Sequence, residues 1–163
     1  MEATPTLIAD ARVHDLGDGL MVRCMLPMLQ IRHVGPLVFF DHIGPATFFA
    51  GKGMDVRSHP HIGVATMTWL FDGSIRHCDS LGSLADICPG EVSRMTSSHG
   101  IVHSERTPPQ WRQDGHTLHG IQVWVALPQA DAGVAPEFHH HDRDTLPQIW
   151  QLRVEPVLIA RRA

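Results

Sequence analysis

Residues 64–78 read Val-Ala-Thr-Met-Thr-Trp-Leu-Phe-Asp-Gly-Ser-Ile-Arg-His-Cys, and this stretch decides the fold class. Val64 to Phe71 is rich in β-branched and aromatic residues, which suit a pleated, half-buried strand. Asp72-Gly73 is a strong hairpin signal, because it supplies the left-handed backbone a tight turn needs. Ser74 to Cys78 is then the return strand. The same grammar extends both ways. Leu20 to Met25 and Leu37 to Phe40 read as early strands, and Gly51 to Asp55 reads as a turn. Leu81-Gly82-Ser83 and Cys88-Pro89-Gly90-Glu91 are further turns, the second leading into Val92 to Thr96. Ile101 to Glu105 and Leu118 to Leu127 read as later strands, and Val154 to Ile159 as a last one. Helical periodicity is scarce, while 12 prolines and 14 glycines divide the chain into short apolar segments. That pattern predicts an all-β sandwich or barrel in a single domain.

The chain has 163 residues, enough to bury a good core. Its formal net charge is -4, and no basic block is present to follow a phosphate backbone, so nucleic acid is not an expected direct partner. No apolar run approaches the ~20 residues of a membrane-spanning helix. The N-terminal residues show no basic segment followed by an apolar core, so no signal peptide is read. The three cysteines, Cys24, Cys78 and Cys88, are odd in number and widely spaced, which fits reduced thiols in the cytoplasm.

The composition has one anomaly: 13 histidines and no tyrosine. Two pairs stand out. His59-Pro60-His61 and His103-Ser104-Glu105 each place two metal-ligand side chains at i and i+2, on one face of a strand. Convergence of the two strands would supply three imidazoles and a carboxylate, a set that suits a first-row transition metal, with iron(II) foremost. A lone His-x-His is weak in so histidine-rich a chain, and hydrogen-bonded core or surface histidines account for the pairs equally well. Parity adds an expectation. Without a bulge, Ala65, Met67, Trp69 and Phe71 share the face of His59 and His61, and the ligand face continues into an apolar interior. The run His139-His140-His141 makes a poor chelate, because adjacent extended residues point apart. It is read as a solvated loop within a polar, irregular tail from Ala130 to Pro147.

The surrounding text resembles the pirin family of the cupin superfamily. The resembling stretches are Asp41-His42-Ile43-Gly44-Pro45, His59-Pro60-His61-Ile62-Gly63, His77-Cys78-Asp79-Ser80-Leu81-Gly82, Pro89-Gly90-Glu91-Val92, Gly100-Ile101-Val102-His103-Ser104-Glu105 and Gly120 to Pro128. The resemblance implies a cupin-type β-barrel (a double-stranded β-helix or jelly roll), with residues 1–150 as the pirin-like domain and 151–163 as a C-terminal strand or tail. It implies one divalent metal on His59, His61, His103 and Glu105. Iron(II) is the first expectation, with Mn, Ni, Cu or Zn also compatible with imidazole and carboxylate.

Two activities follow from the resemblance. One is a quercetin 2,3-dioxygenase-type oxygenase, with a small aromatic substrate, dioxygen as co-substrate and Glu105 as a catalytic proton acceptor. The other is a non-enzymatic, iron-dependent redox sensor that acts through a protein partner. Pirins are usually bicupins of nearly twice this length, so the second barrel is expected to be absent and a homodimer is the natural way to cover the surface it would occupy. Two further departures concern activity. Ala65 stands where pirins often carry a glutamate, and His99 precedes Gly100 where an arginine is common. His42 is a residue of the motif with a place near the pocket mouth or a structural role.

Overall fold

The computed structural model describes residues 11–147. Among the described residues, eleven strands form two antiparallel sheets. The larger sheet orders β1 (Arg12–Asp15), β2 (Met21–Leu26), β3 (Leu37–Phe48), β10 (His116–Ala126), β5 (Val64–Asp72), β8 (Val92–Thr96) and β11 (Glu137–His141). The smaller orders β4 (Asp55–His61), β9 (Ile101–Arg106), β6 (Ile75–Asp79) and β7 (Leu84–Ile87). A short helix, α1 (Pro109–Asp114), joins β9 to β10. This is the cupin-type β-barrel that the family resemblance implies.

The core forms where inward side chains of the two sheets meet. β2 alternates strictly, burying Val22, Cys24 and Leu26. Val22 packs in one cluster with Leu20, Ile43, Phe48, Leu70, Ile75 and Leu118. Each fully buried Leu or Ile contributes about 1.5–3 kcal/mol relative to exposure.

Irregularities in the strands decide which residues face in. Between Ala46 and Ile43, β3 carries one residue more than the β10 segment Leu118–Gly120 opposite it. This bulge at Gly44-Pro45 switches the inward set of β3 from Asp41 and Ile43 to Ala46 and Phe48. A second irregularity lies in β4, where Val56 pairs with Glu105 and His59 pairs with His103. Arg57 and Ser58 there oppose Ser104 alone, so Val56 and His59 both face inward although they are an odd number of residues apart.

The structure corrects three expectations. Ala65, Met67, Trp69 and Phe71 do not continue the face of His59 and His61, because β4 and β5 lie in different sheets, joined by a turn in which Gly63 takes φ +69°. The buried positions of β5 are Thr66, Thr68 and Leu70, together with Ala65, while Phe71 is exposed. Thr68 pairs with Gln122 and Thr66 with Trp124 on the inner face, so by alternation Ala65, Met67 and Trp69 belong to the outer face. The polar tail is also not irregular throughout, because Glu137–His141 forms β11 and residues 143–145 a 3-10 turn. His139-His140-His141 therefore lies in a strand rather than a loop, its backbone paired with Val92 to Arg94 of β8. That edge pairing satisfies the peptide groups of a segment with few apolar residues. β1 and β7 were likewise not read from the sequence. Val154 to Ile159 lies outside the described residues.

Gly73 gives a test of the hairpin. It adopts φ +84°, and a Cβ there would run into the Thr117 carbonyl oxygen. Gly82 has a similar φ of +88° but open space around it. Gly73→Ala should destabilise by more than about 3 kcal/mol and Gly82→Ala by about 1 kcal/mol, measured by denaturant unfolding.

Candidate metal centre

β4 and β9 bring His59, His61 and His103 together, with ligand nitrogens all within 4.8 Å of one another. His59 stands opposite His103 across the β4–β9 ladder, and His61 stands opposite Ile101. His61 and His103 are buried, at 8% and 3% exposure. The remaining ring nitrogens fix how each imidazole is presented. His59 Nδ1 lies 2.8 Å from the Arg57 carbonyl, inside the β4 bulge, and donates to it. His59 Nε2 is then left facing His103 Nε2 at 3.1 Å. Two donors each about 2.1 Å from a shared ion lie about 3.0 Å apart at right angles and about 3.4 Å apart in a tetrahedron. The observed separation falls within that range, so His59 and His103 fit a shared metal ion, and His61 lies close beside them.

The electrostatics agree. Burial, reinforced by His59, lowers the pKa of His61 to about 4. Burial and the neighbouring His59, His77 and His61 lower that of His103 to about 3. Both rings are therefore neutral near pH 7, the form that binds a metal.

Glu105 shares the inward face of β9 with His103, but its carboxylate is not part of the three-histidine cluster. Its Oε1 accepts a hydrogen bond of 2.8 Å from Gln122 Nε2. Burial raises its pKa. Gln122 is itself held in place: its amide also reaches Thr68 Oγ1 at 3.2 Å, and its Oε1 accepts from Trp124 Nε1–H at 3.3 Å. A cavity of about 170 Å³ opens beside His59 and Glu105, with Asp41, Gln122, Trp124 and Val56 in its wall. Trp124 stacks on Phe39, ring centroids 4.0 Å apart, and meets the His61 ring edge-on.

Gln122 and Asp41 line the cavity although no sequence motif marks them as functional. Gln122 had a legible signal, being a polar residue on the same strand face as Trp124 in an otherwise apolar run. Asp41 had its place in the Asp-His-x-Gly-Pro stretch, where attention falls on the histidine. His42 points the other way, with its Nε2 2.8 Å from His119 Nε2. His99 is exposed. A second grouping, Glu91, His140 and Asp142, sits near the β8–β11 edge. Its members have other partners, since Glu91 accepts from the Cys88 backbone N–H and His140 bonds Ser93.

The fold and this histidine cluster define a cupin with a candidate mononuclear metal centre on its inner face. Residues 20–125 match the Pirin family model, and the chain belongs to the pirin family. It is 50% identical over 138 residues to a pirin-like protein of Caulobacter vibrioides, covering 83% of this chain and 47% of that protein. A Pseudomonas aeruginosa protein, provisionally named a quercetin 2,3-dioxygenase, is 43% identical over 141 residues, or 86% of this chain and 42% of the relative. The crystal structure of an Acinetobacter baumannii quercetin 2,3-dioxygenase superposes with a TM-score of 0.84 at 39% identity, covering 93% of this chain and 48% of that one. The chain thus spans about half the length of the relatives it matches.

The geometry orders the donors. Purified protein titrated with Co(II) should bind one equivalent. His103→Ala should weaken binding more than Glu105→Gln does, by roughly a further tenfold, as read by competition with a chromophoric chelator.

Proposed function

We propose that this chain is a metal-dependent oxygenase of the quercetin 2,3-dioxygenase type, acting on flavonol-like enolic substrates. The observation that carries the reading is the cavity beside His59 and Glu105. A sensor without a substrate needs no such space next to its metal. His59, His61 and His103 would hold the metal, with Glu105 as a fourth ligand. A divalent metal there supplies Lewis acidity that lowers a hydroxyl pKa and, if iron, electrons for dioxygen chemistry.

The remaining work falls to side chains. Glu105, made a better proton acceptor by burial, takes the proton from the substrate hydroxyl. Gln122 holds that carboxylate through Oε1 and keeps it oriented while the proton moves. Trp124 and Val56 form apolar wall that excludes water from the enolate. The cavity is smaller than the roughly 300 Å³ at the lower end of sites for drug-sized ligands, so it encloses only part of a flavonol. Ala65 is consistent with activity on this reading, because its strand face is not the one that carries Thr68 beside Gln122. The three free cysteines support a cytoplasmic setting.

The test is an aerobic assay of Fe(II)-loaded protein with quercetin. Loss of flavonol with release of carbon monoxide, above a free Fe(II) control, is expected. At saturating metal, Glu105→Gln should lower kcat/KM by roughly 100-fold or more. A metal-loaded protein with no flavonol loss above that control would overturn the enzymatic reading and favour the sensor.

A further inference from the structure

Behind His103 lies a second buried pair that the proposed chemistry does not use. His77 and Asp79 sit at i and i+2 on β6, which pairs with β9. Their side chains are 4% and 0% exposed. His77 Nδ1 is 3.3 Å from His103 Nδ1, and His77 Nε2 is 2.9 Å from Asp79 Oδ2. Asp79 Oδ1 accepts the backbone N–H groups of Leu81 and Ser83 at 2.9 and 3.0 Å. The His77 ring lies flat on Phe138 of β11, centroids 4.1 Å apart and planes 8° from parallel.

These contacts admit one consistent placement of protons when His103 offers Nε2 to a metal. His103 carries its proton on Nδ1 and donates it to His77 Nδ1. His77 then carries its own proton on Nε2 and donates it to the Asp79 carboxylate. Two backbone donors hold that carboxylate, and they anchor the turn that follows β6. His59 has a plainer partner, the Arg57 carbonyl. The two facing imidazoles are thus backed differently, one by a peptide oxygen and one by a carboxylate acting through a second ring.

We propose that His77 and Asp79 are positioning residues that fix the tautomer and ring angle of His103 and make it a stronger donor to the metal. The proposal rests on the reading that His59, His61 and His103 hold that metal. A group that orients a metal-bound imidazole and raises its basicity typically changes metal affinity by 10–100-fold when removed. The chain Asp79–His77–His103 has the form of such a support, extended by one ring. Phe138 gives β11 a part in it, by keeping the His77 ring in the plane in which its two nitrogens reach their partners.

A purely structural role predicts something different. If Asp79 only anchors the turn and His77 only fills space against Phe138, a ring of similar shape at 77 would leave the metal undisturbed. Co(II) added to the full chain separates the two. His77→Phe keeps a flat ring against Phe138 but has no nitrogen. His77→Gln keeps an acceptor for His103 and a donor for Asp79. Asp79→Asn keeps an oxygen for the turn and removes the charge.

The readouts are the Co(II) dissociation constant by chelator competition and the Co(II) ligand-field spectrum, with thermal unfolding to confirm the fold. His77→Phe should raise the dissociation constant by roughly 10–100-fold and shift the spectrum. Asp79→Asn should shift both in the same direction by less, and His77→Gln should recover most of the wild-type behaviour. Wild-type affinity and spectrum in a folded His77→Phe protein would overturn the proposal. If His77→Phe fails to fold, wild-type values in Asp79→Asn would overturn it instead. Failure of the wild-type chain to bind Co(II) would overturn the metal-centre reading and this proposal together. Binding by wild type that is indifferent to residues 77 and 79 would overturn this one alone.

Discussion

The site depends on the register between β4 and β9. His103 alternates inward with Glu105 along a regular strand, whereas His59 faces it only because β4 carries an extra residue at Arg57–Ser58. Without that bulge, Val56 and His59 would lie on opposite faces, and the two imidazoles would not meet at 3.1 Å. The bulge also supplies the Arg57 carbonyl that orients the His59 ring. One backbone irregularity thus selects both the face and the tautomer of a candidate ligand. Bulges are common beside functional sites for this reason.

Burial then does the electrostatic work. Histidines in water are partly protonated near neutral pH, and three cations this close would repel one another. Inside the barrel, desolvation removes that option for His61 and His103, leaving neutral rings with lone pairs free to bind a metal. The same dry interior raises the proton affinity of Glu105 and holds Gln122 between Glu105, Thr68 and Trp124. The candidate ligands and the cavity therefore belong to one structure, formed where the inner faces of the two sheets approach each other.

Much of this was legible in the sequence because it rests on local rules. Val64 to Phe71 with Asp72-Gly73 announced a hairpin, and His-x-His with His-x-Glu announced two inward pairs. The features missed depend on pairing between distant residues. β11 is built from Glu137, Phe138 and three histidines, with little strand signal, and exists as the edge partner of β8. The β4 bulge cannot be seen without β9 opposite it. Alternation along one continuous face would put Ala65, Met67, Trp69 and Phe71 with His59 and His61, but the chain changes sheets at Gly63. Gln122, His77 and Asp79 were visible as polar residues at strand spacing, but their roles need the partners that the fold brings to them.

X-ray absorption fine structure of the Zn(II)-loaded chain tests the central claim most directly, because it counts the imidazoles around the ion. The account predicts three imidazole nitrogens at about 2.0–2.1 Å, with one or more oxygens completing the shell. A shell of oxygens with one imidazole or none would contradict it, since the ion would then be held somewhere other than between β4 and β9.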